Sequence, residues 1–79
     1  MQKEIYFRII ELENHQVLLQ KSWNEDDDKP SLIFTFNLKS CCINKTHSFT
    51  NEISRDKVFD TFTDEQAQNM IDSTSKLFD

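Results

Sequence analysis

Glycine is absent from this 79-residue chain, and proline occurs once, as Pro30. At its usual frequency of about 7%, glycine would occur about five or six times in a chain of this length. Glycine lets a backbone approach a phosphate closely or adopt a positive φ without strain. Phosphate-binding loops, dinucleotide fingerprints, EF-hand loops and nucleophile elbows all depend on such glycines. The composition therefore argues against several large classes of enzyme.

Cysteine is also scarce, since Cys41 and Cys42 are the only two and are adjacent in the chain. Neighbouring residues of an extended backbone point to opposite faces, so a disulfide between them would be strained. Zinc sites usually space their cysteines about two to four residues apart, so at most one of this pair could join His47. We expect no disulfide, no metal and no other cofactor, with one cysteine buried and the other at the surface.

Long hydrophobic runs are missing as well. None approaches the roughly 20 residues that a membrane-spanning helix needs, and the first residues, Met1 to Glu4, do not resemble a secretion signal. The net charge is −5, from 14 acidic and 9 basic side chains. This sign disfavours direct binding to nucleic acid or to an anionic membrane surface. We expect a cytoplasmic protein with reduced cysteines.

The apolar pattern predicts one α+β domain spanning residues 1–79: an antiparallel meander of about four strands, packed on one face by a single C-terminal helix. Strands are expected at 3–12, 16–23 and 31–39, and the stretch 41–53 fits one bent strand or two short ones. Asn14 is the candidate for a left-handed residue in the first turn. The stretch 54–62 suits either a helical turn or an edge strand.

The C-terminal helix has the strongest local signal. Thr63 followed three residues later by Gln66 fits a capping box, and Asp64 and Glu65 suit the positive end of the helix dipole. Apolar residues then recur at helical spacing along one stripe. The pattern predicts a helix over about 64–78.

Alternation along the strands assigns two faces to the sheet. The face expected under the helix consists of Ile5, Phe7, Ile9, Val17, Leu19, Phe34 and Phe36. The face expected to contact a partner consists of Tyr6, Arg8, Ile10, Leu18, Ile33 and Thr35. One helix cannot cover both faces, and an exposed apolar patch usually marks an interaction surface. The alternative is that the residues after Ser40 fold over the second face and bury it.

The clearest loop is acidic. Its four consecutive acids, followed by Lys29 and Pro30, are Glu25, Asp26, Asp27 and Asp28. A calcium loop needs a glycine at its sharp turn and a distal bidentate glutamate, and both are missing. The sequence predicts a solvated acidic loop.

Three functional hypotheses follow. The favoured one is a non-enzymatic protein–protein interaction module that forms a homodimer through the sheet face or an edge strand. The alternative is a small acidic inhibitor or nucleic-acid mimic that acts on a basic host protein, in which the acidic loop is joined by Asp64, Glu65 and Asp72. The third, a very small metal or thiol enzyme, rests only on Cys41, Cys42 and His47.

Overall fold

The chain folds as a four-stranded antiparallel sheet followed by two helices, which confirms the predicted α+β meander and adds one helix. A computed structural model describes residues 6–78. The elements are β1 (Phe7–Glu11), β2 (Gln16–Asn24), β3 (Lys29–Asn37), β4 (Cys42–Ser48), α1 (Glu52–Thr61) and α2 (Asp64–Phe78). The strands lie in the sheet in chain order, each antiparallel to the next.

The strand expected at 41–53 is shorter, and its last two residues lie in helix α1. Strand β4 ends at Ser48, and Ile53 lies in the first turn of α1, where it is 82% exposed. Asn51 caps this helix, because its side-chain Oδ1 accepts a hydrogen bond of 2.8 Å from the Ser54 N–H. Few apolar residues follow, so α1 shows little amphipathic periodicity. Of the two possibilities left open for 54–62, the structure has the helix.

Helix α2 begins and ends as predicted. The Gln66 N–H donates to Thr63 Oγ1 at 3.2 Å, and the Thr63 N–H donates to Gln66 Oε1 at 3.0 Å. These two bonds form the expected capping box and satisfy two N–H groups that the helix itself cannot pair.

Both helices pack on the same face of the sheet, which we call the covered face. Strand β3 has the clearest pattern, because every second residue from Pro30 to Leu38 is buried. The buried apolar side chains of the sheet and the helices form one cluster: Ile10, Val17, Leu19, Leu32, Phe34, Phe36, Leu38, Phe59, Phe62, Ala67 and Ile71.

Strand β1 has the opposite phase to the one predicted. Ile10 pairs with Val17 and is 4% exposed, so its assignment to the partner face is wrong. Phe7 and Ile9 are 59% and 56% exposed, so their assignment to the core is also wrong. Ile5 lies outside the described residues. The pairing of β1 with β2 decides the phase, and a shift of one residue turns every side chain to the other face.

The acidic loop is shorter than predicted. Asn24, the last residue of β2, pairs with Lys29, the first residue of β3, and Pro30 is a buried strand residue opposite Trp23. The Pro30 carbonyl accepts from the Phe49 N–H at 2.8 Å. The N–H and the C=O of a strand residue point towards the same neighbouring strand. At Pro30 that neighbour is β4, which ends there, so the missing N–H of the proline lies at the end of the β3–β4 pairing.

The left-handed residue is Asp28, with φ 55°, and Asn14 is not in that region. The prediction for Asn14 is therefore wrong. Aspartate tolerates this conformation better than most residues, because its short side chain can hydrogen-bond locally. The second hairpin thus turns without glycine.

Candidate functional site

The sheet face opposite the helices is the candidate site, and we call it the open face. No element of the described chain, residues 6–78, lies over it. The pairing of the strands places every second residue of each strand on the open face, including Phe7 and Ile9 of β1. The alternative in which the residues after Ser40 cover this face is wrong, because β4 joins the edge of the sheet and α1 and α2 pack on the covered face.

Apolar side chains of this face form one patch at the β1 side of the sheet. Phe7 and Ile9 are exposed, and Ile9 pairs with Leu18 on β2. Leu18 pairs in turn with Thr35, and Ile33 lies two residues before it on β3. Leu18 and Ile33 are half-buried. We call Phe7, Ile9, Leu18 and Ile33 the β1 patch.

Three of the six residues predicted for the partner face lie on the open face: Leu18, Ile33 and Thr35. The Thr35 hydroxyl donates to Asn44 Oδ1 at 2.8 Å, across the β3–β4 pair. The other three have the opposite phase. Tyr6 is exposed and accepts, through its carbonyl, a hydrogen bond of 2.7 Å from the Lys21 N–H. Arg8 and Ile10 belong to the covered face.

Arg8 has a structural role there. Its Nη1 donates to the Phe59 carbonyl oxygen, which lies in the last turn of α1, and its guanidinium lies 5.9 Å from the Phe59 ring centroid. The last carbonyls of a helix lack intrahelical partners and carry partial negative charge, so a cation stabilises them. Arg8 therefore joins the end of α1 to β1.

Charge is almost absent from the open face. Among the strand residues that share it, only Glu11 and Lys29 are charged, and they lie on different strands at opposite ends of the sheet. The whole chain, by contrast, is 29% charged, with a net charge of −5. A second acidic molecule can thus approach this face with less electrostatic repulsion than elsewhere.

An ion-pair cluster joins α1 to β2. Asp56 Oδ1 lies 3.0 Å from Arg55 Nε and 3.4 Å from Lys21 Nζ. Arg55 is buried and also donates through Nη1 to the Ser22 carbonyl at 3.0 Å. Burial alone would raise the pKa of Asp56, but the hydrogen bonds and charges of Arg55 and Lys21 outweigh it and lower that pKa. These contacts join α1 to β2.

The acidic hairpin tip is internally hydrogen-bonded. Trp23 Nε1 donates to Asp28 Oδ1 at 3.1 Å, and Asn24 Nδ2 donates to Asp27 Oδ2 at 3.3 Å. The Asp26 N–H donates to Asn24 Oδ1 at 3.1 Å, which is an Asx turn. Two of the four predicted carboxylates are thus occupied by β2 side chains, while all four residues are exposed.

An apolar hollow of about 390 Å³ opens on the covered side between β4 and the helices. Phe34, Phe49, Val58 and Met70 line it, with Lys45, Thr46 and His47 of β4 at its edge. Phe34 belongs to the core cluster, and Phe49, Val58 and Met70 pack against it. The hollow therefore lies at the margin of the core.

Both cysteines are free and exposed, so the expectation that one would be buried is wrong. Within residues 6–78, no three His, Cys, Asp or Glu side chains lie close enough together to hold a metal ion. In the same part of the chain, neither helix has the length and apolar character required to cross a membrane.

Comparison with protein-family models, curated proteins and solved structures finds no match to this chain. A function for this chain therefore has to be inferred from the geometry of residues 6–78. Sequence reasoning missed Phe7 and Ile9, because both phases of β1 are apolar. Only the pairing of β1 with β2, which places Ile10 beside Val17, shows which side chains of β1 face the helices.

Proposed function

We propose that this chain is a non-enzymatic protein–protein interaction module that forms a homodimer through the β1 patch. Its working compartment is the cytoplasm, where reducing conditions keep Cys41 and Cys42 as thiols. Its partner is a second copy of the chain and not nucleic acid or a membrane surface. The observation that carries the proposal is the exposure of Phe7 and Ile9, 59% and 56%, on a face that no element of residues 6–78 covers.

Burial of this patch is favourable for a physical reason. Removing apolar surface from water contributes about 25 cal/mol per Å², and a domain of this size has a small core with which to stabilise itself. Two adjacent large apolar side chains on one edge strand form a contiguous patch, whereas exposed apolar residues scattered singly need no explanation.

The open face is the surface on which charge opposes a second copy least. A partner that binds the loops or the outer surfaces of the helices contacts the acidic side chains of this chain. If that partner is a second copy, its own acidic side chains repel them. On the open face, only Glu11 and Lys29 are charged among the described strand residues. The face is therefore the part of the surface on which two copies of net charge −5 repel each other least.

The alternative of an acidic inhibitor has less support. A phosphate mimic needs carboxylates that are free to meet a basic partner, and Asp27 and Asp28 already accept hydrogen bonds from Asn24 and Trp23. Asp64, Glu65 and Asp72 are exposed on α2. No contact joins them to the hairpin tip in the described part of the chain.

The test uses matched isoleucines. Ile9 lies in the β1 patch, and Ile53 is an exposed isoleucine of α1 that lies outside it. Static light scattering at about 100 μM should give a dimer for the unmodified chain and for Ile53→Gln, and a monomer for Ile9→Gln. A monomeric unmodified chain, or equal behaviour of the two variants, would contradict the proposal.

A further inference from the structure

The free edge of β1 presents the backbone groups of the residues whose side chains lie on the open face. The Lys21 N–H donates to the Tyr6 carbonyl at 2.7 Å, and the Leu12 N–H donates to the His15 carbonyl at 2.8 Å. Hydrogen-bonded pairs alternate along an antiparallel ladder, so the even residues of β1 bond to β2. Phe7, Ile9 and Glu11 therefore direct their N–H and C=O groups away from the sheet.

Strand β1 has no lysine, proline or bulge to protect this edge. Natural edge strands avoid pairing with other chains by means of lysines, prolines, bulges or inward-pointing charges. The one cation of β1 is Arg8, and its guanidinium is bound to the Phe59 carbonyl on the covered side. Its pairing with β2 runs without interruption from Phe7 to Glu11, so it contains no bulge.

We propose that two copies pair antiparallel along β1, with the two-fold axis at Ile9, to form one continuous eight-stranded sheet from two sheets of four strands. The proposal rests on the proposed function and specifies its geometry: the two β1 strands meet at their edges, so Phe7 and Ile9 adjoin the partner while Leu18 and Ile33 stay on the open face. A two-fold axis requires each outward residue to meet its symmetry mate. Ile9 then pairs with the partner's Ile9, and Phe7 pairs with the partner's Glu11.

In this register, every outward-pointing N–H and C=O group from Phe7 to Glu11 forms a hydrogen bond with the partner strand. Each hydrogen-bonded pair exchanges two bonds, so the three pairs supply about six. Both Ile9 side chains become cross-strand neighbours on the open face, at the spacing where apolar pairs stabilise a sheet. Arg8 lies opposite the partner's Ile10, whereas an axis at Arg8 would place two guanidinium groups opposite each other.

The proposed pairing predicts which backbone amides of β1 become protected from hydrogen exchange on dimerisation. On dimerisation, the amide protons of Phe7, Ile9 and Glu11 gain carbonyl acceptors, while Arg8 and Ile10 already have theirs from β2. Amide hydrogen exchange by NMR should therefore slow at the odd positions of β1 as the protein concentration rises. When nine-tenths of the chains are dimeric, exchange through the free monomer should be about tenfold slower.

Strand β4 supplies the internal control. The Phe49 N–H donates to the Pro30 carbonyl and the Leu38 N–H to the Cys41 carbonyl, so the odd residues of β4 face β3. The amides of Asn44 and Thr46 therefore point outward at the other edge of the sheet. Their exchange should stay fast at every concentration.

Proline variants give a second, independent test. In Ile9→Pro the lost N–H makes no bond to β2, so the monomer should fold while the central pair of the dimer is lost. The matched control, Thr46→Pro, removes an outward N–H of β4. Light scattering should show a monomer for Ile9→Pro and a dimer for Thr46→Pro.

The outcomes separate the two proposals. Concentration-dependent slowing at Phe7, Ile9 and Glu11 alone supports the edge-paired dimer. A dimer whose β1 amides keep their exchange rates overturns the edge pairing and leaves the proposed function standing, with face-to-face packing as its geometry. A monomer at all concentrations overturns both. Because exchange is measured on the unmodified chain, a variant that fails to fold does not affect this test.

Discussion

Ile9 and Ile10 are neighbours of the same residue type in one strand, yet they belong to two different regions of the molecule. Ile10 is 4% exposed in the cluster under the helices, and Ile9 is 56% exposed on the open face. The covered face carries the core and the ionic contacts that hold α1. The open face is nearly uncharged, and no element of residues 6–78 covers it. The core and the surface proposed for association therefore lie on opposite faces of one sheet.

The largest expected effect tests that division directly. Ile10→Ala should lower the free energy of unfolding by about 2–5 kcal/mol, because it leaves a cavity in the core. Ile9→Ala should change the stability of the monomer by less than about 0.5 kcal/mol. Urea denaturation at a concentration where the chain is monomeric measures both. If Ile10→Ala does not fold, Ile10→Val should cost about 0.5–1.5 kcal/mol. Equal losses at the two positions would show that the faces are not distinct.

Arg8 gives the next largest effect. Arg8→Gln removes the cation that binds the Phe59 carbonyl, and a hydrogen bond to a charged group contributes about 1.5–3 kcal/mol. The charge-matched control is Lys57→Gln, on the exposed side of α1. Thermal unfolding should show a clear loss for Arg8→Gln and little change for the control. If Arg8→Gln instead weakened association without loss of stability, Arg8 would belong to the interaction surface after all.

The smallest effect is the pH dependence of the α1 contact. The pKa of Asp56 is lowered in the folded chain, so its ion pairs stabilise the fold above the unfolded pKa, about 3.9, and are lost as the pH falls through the folded pKa. The side chain is 36% exposed, so we expect less than about 1 kcal/mol.

Urea denaturation of the unmodified chain and of Asp56→Asn measures this contribution. Their difference in stability should be constant near neutral pH and should shrink below about pH 4. Asp60→Asn, an exposed acid of the same helix, is the matched charge control. A difference that grows on acidification would contradict the assigned sign.

Some elements could be predicted from the sequence because one physical signal dominated. Leu32, Phe34, Phe36 and Leu38 alternate with less apolar residues, so the covered face of β3 was predicted correctly in phase. Thr63 and Gln66 are local partners, so α2 needed no tertiary information.

Other elements depended on contacts that local pattern does not encode. In β1, Phe7 and Ile9 compete with Tyr6 and Ile10, and only the pairing with β2 decides between the two phases. Helix α1 has few apolar residues, and the packing of Phe59 and the bonds of Arg55 to β2 hold it in place. Its local signal is the Asn51 cap. The candidate site inherited the error in β1: Tyr6, Arg8 and Ile10 do not lie on the open face, whereas the β2 and β3 residues Leu18, Ile33 and Thr35 do.

Sedimentation velocity of the unmodified chain between about 1 and 200 μM tests the central claim, that two copies of this chain associate, most directly. The account predicts a weight-average mass that rises with concentration from one 9.4 kDa chain towards two, and stops there. A mass that stays at one chain throughout this range would contradict it.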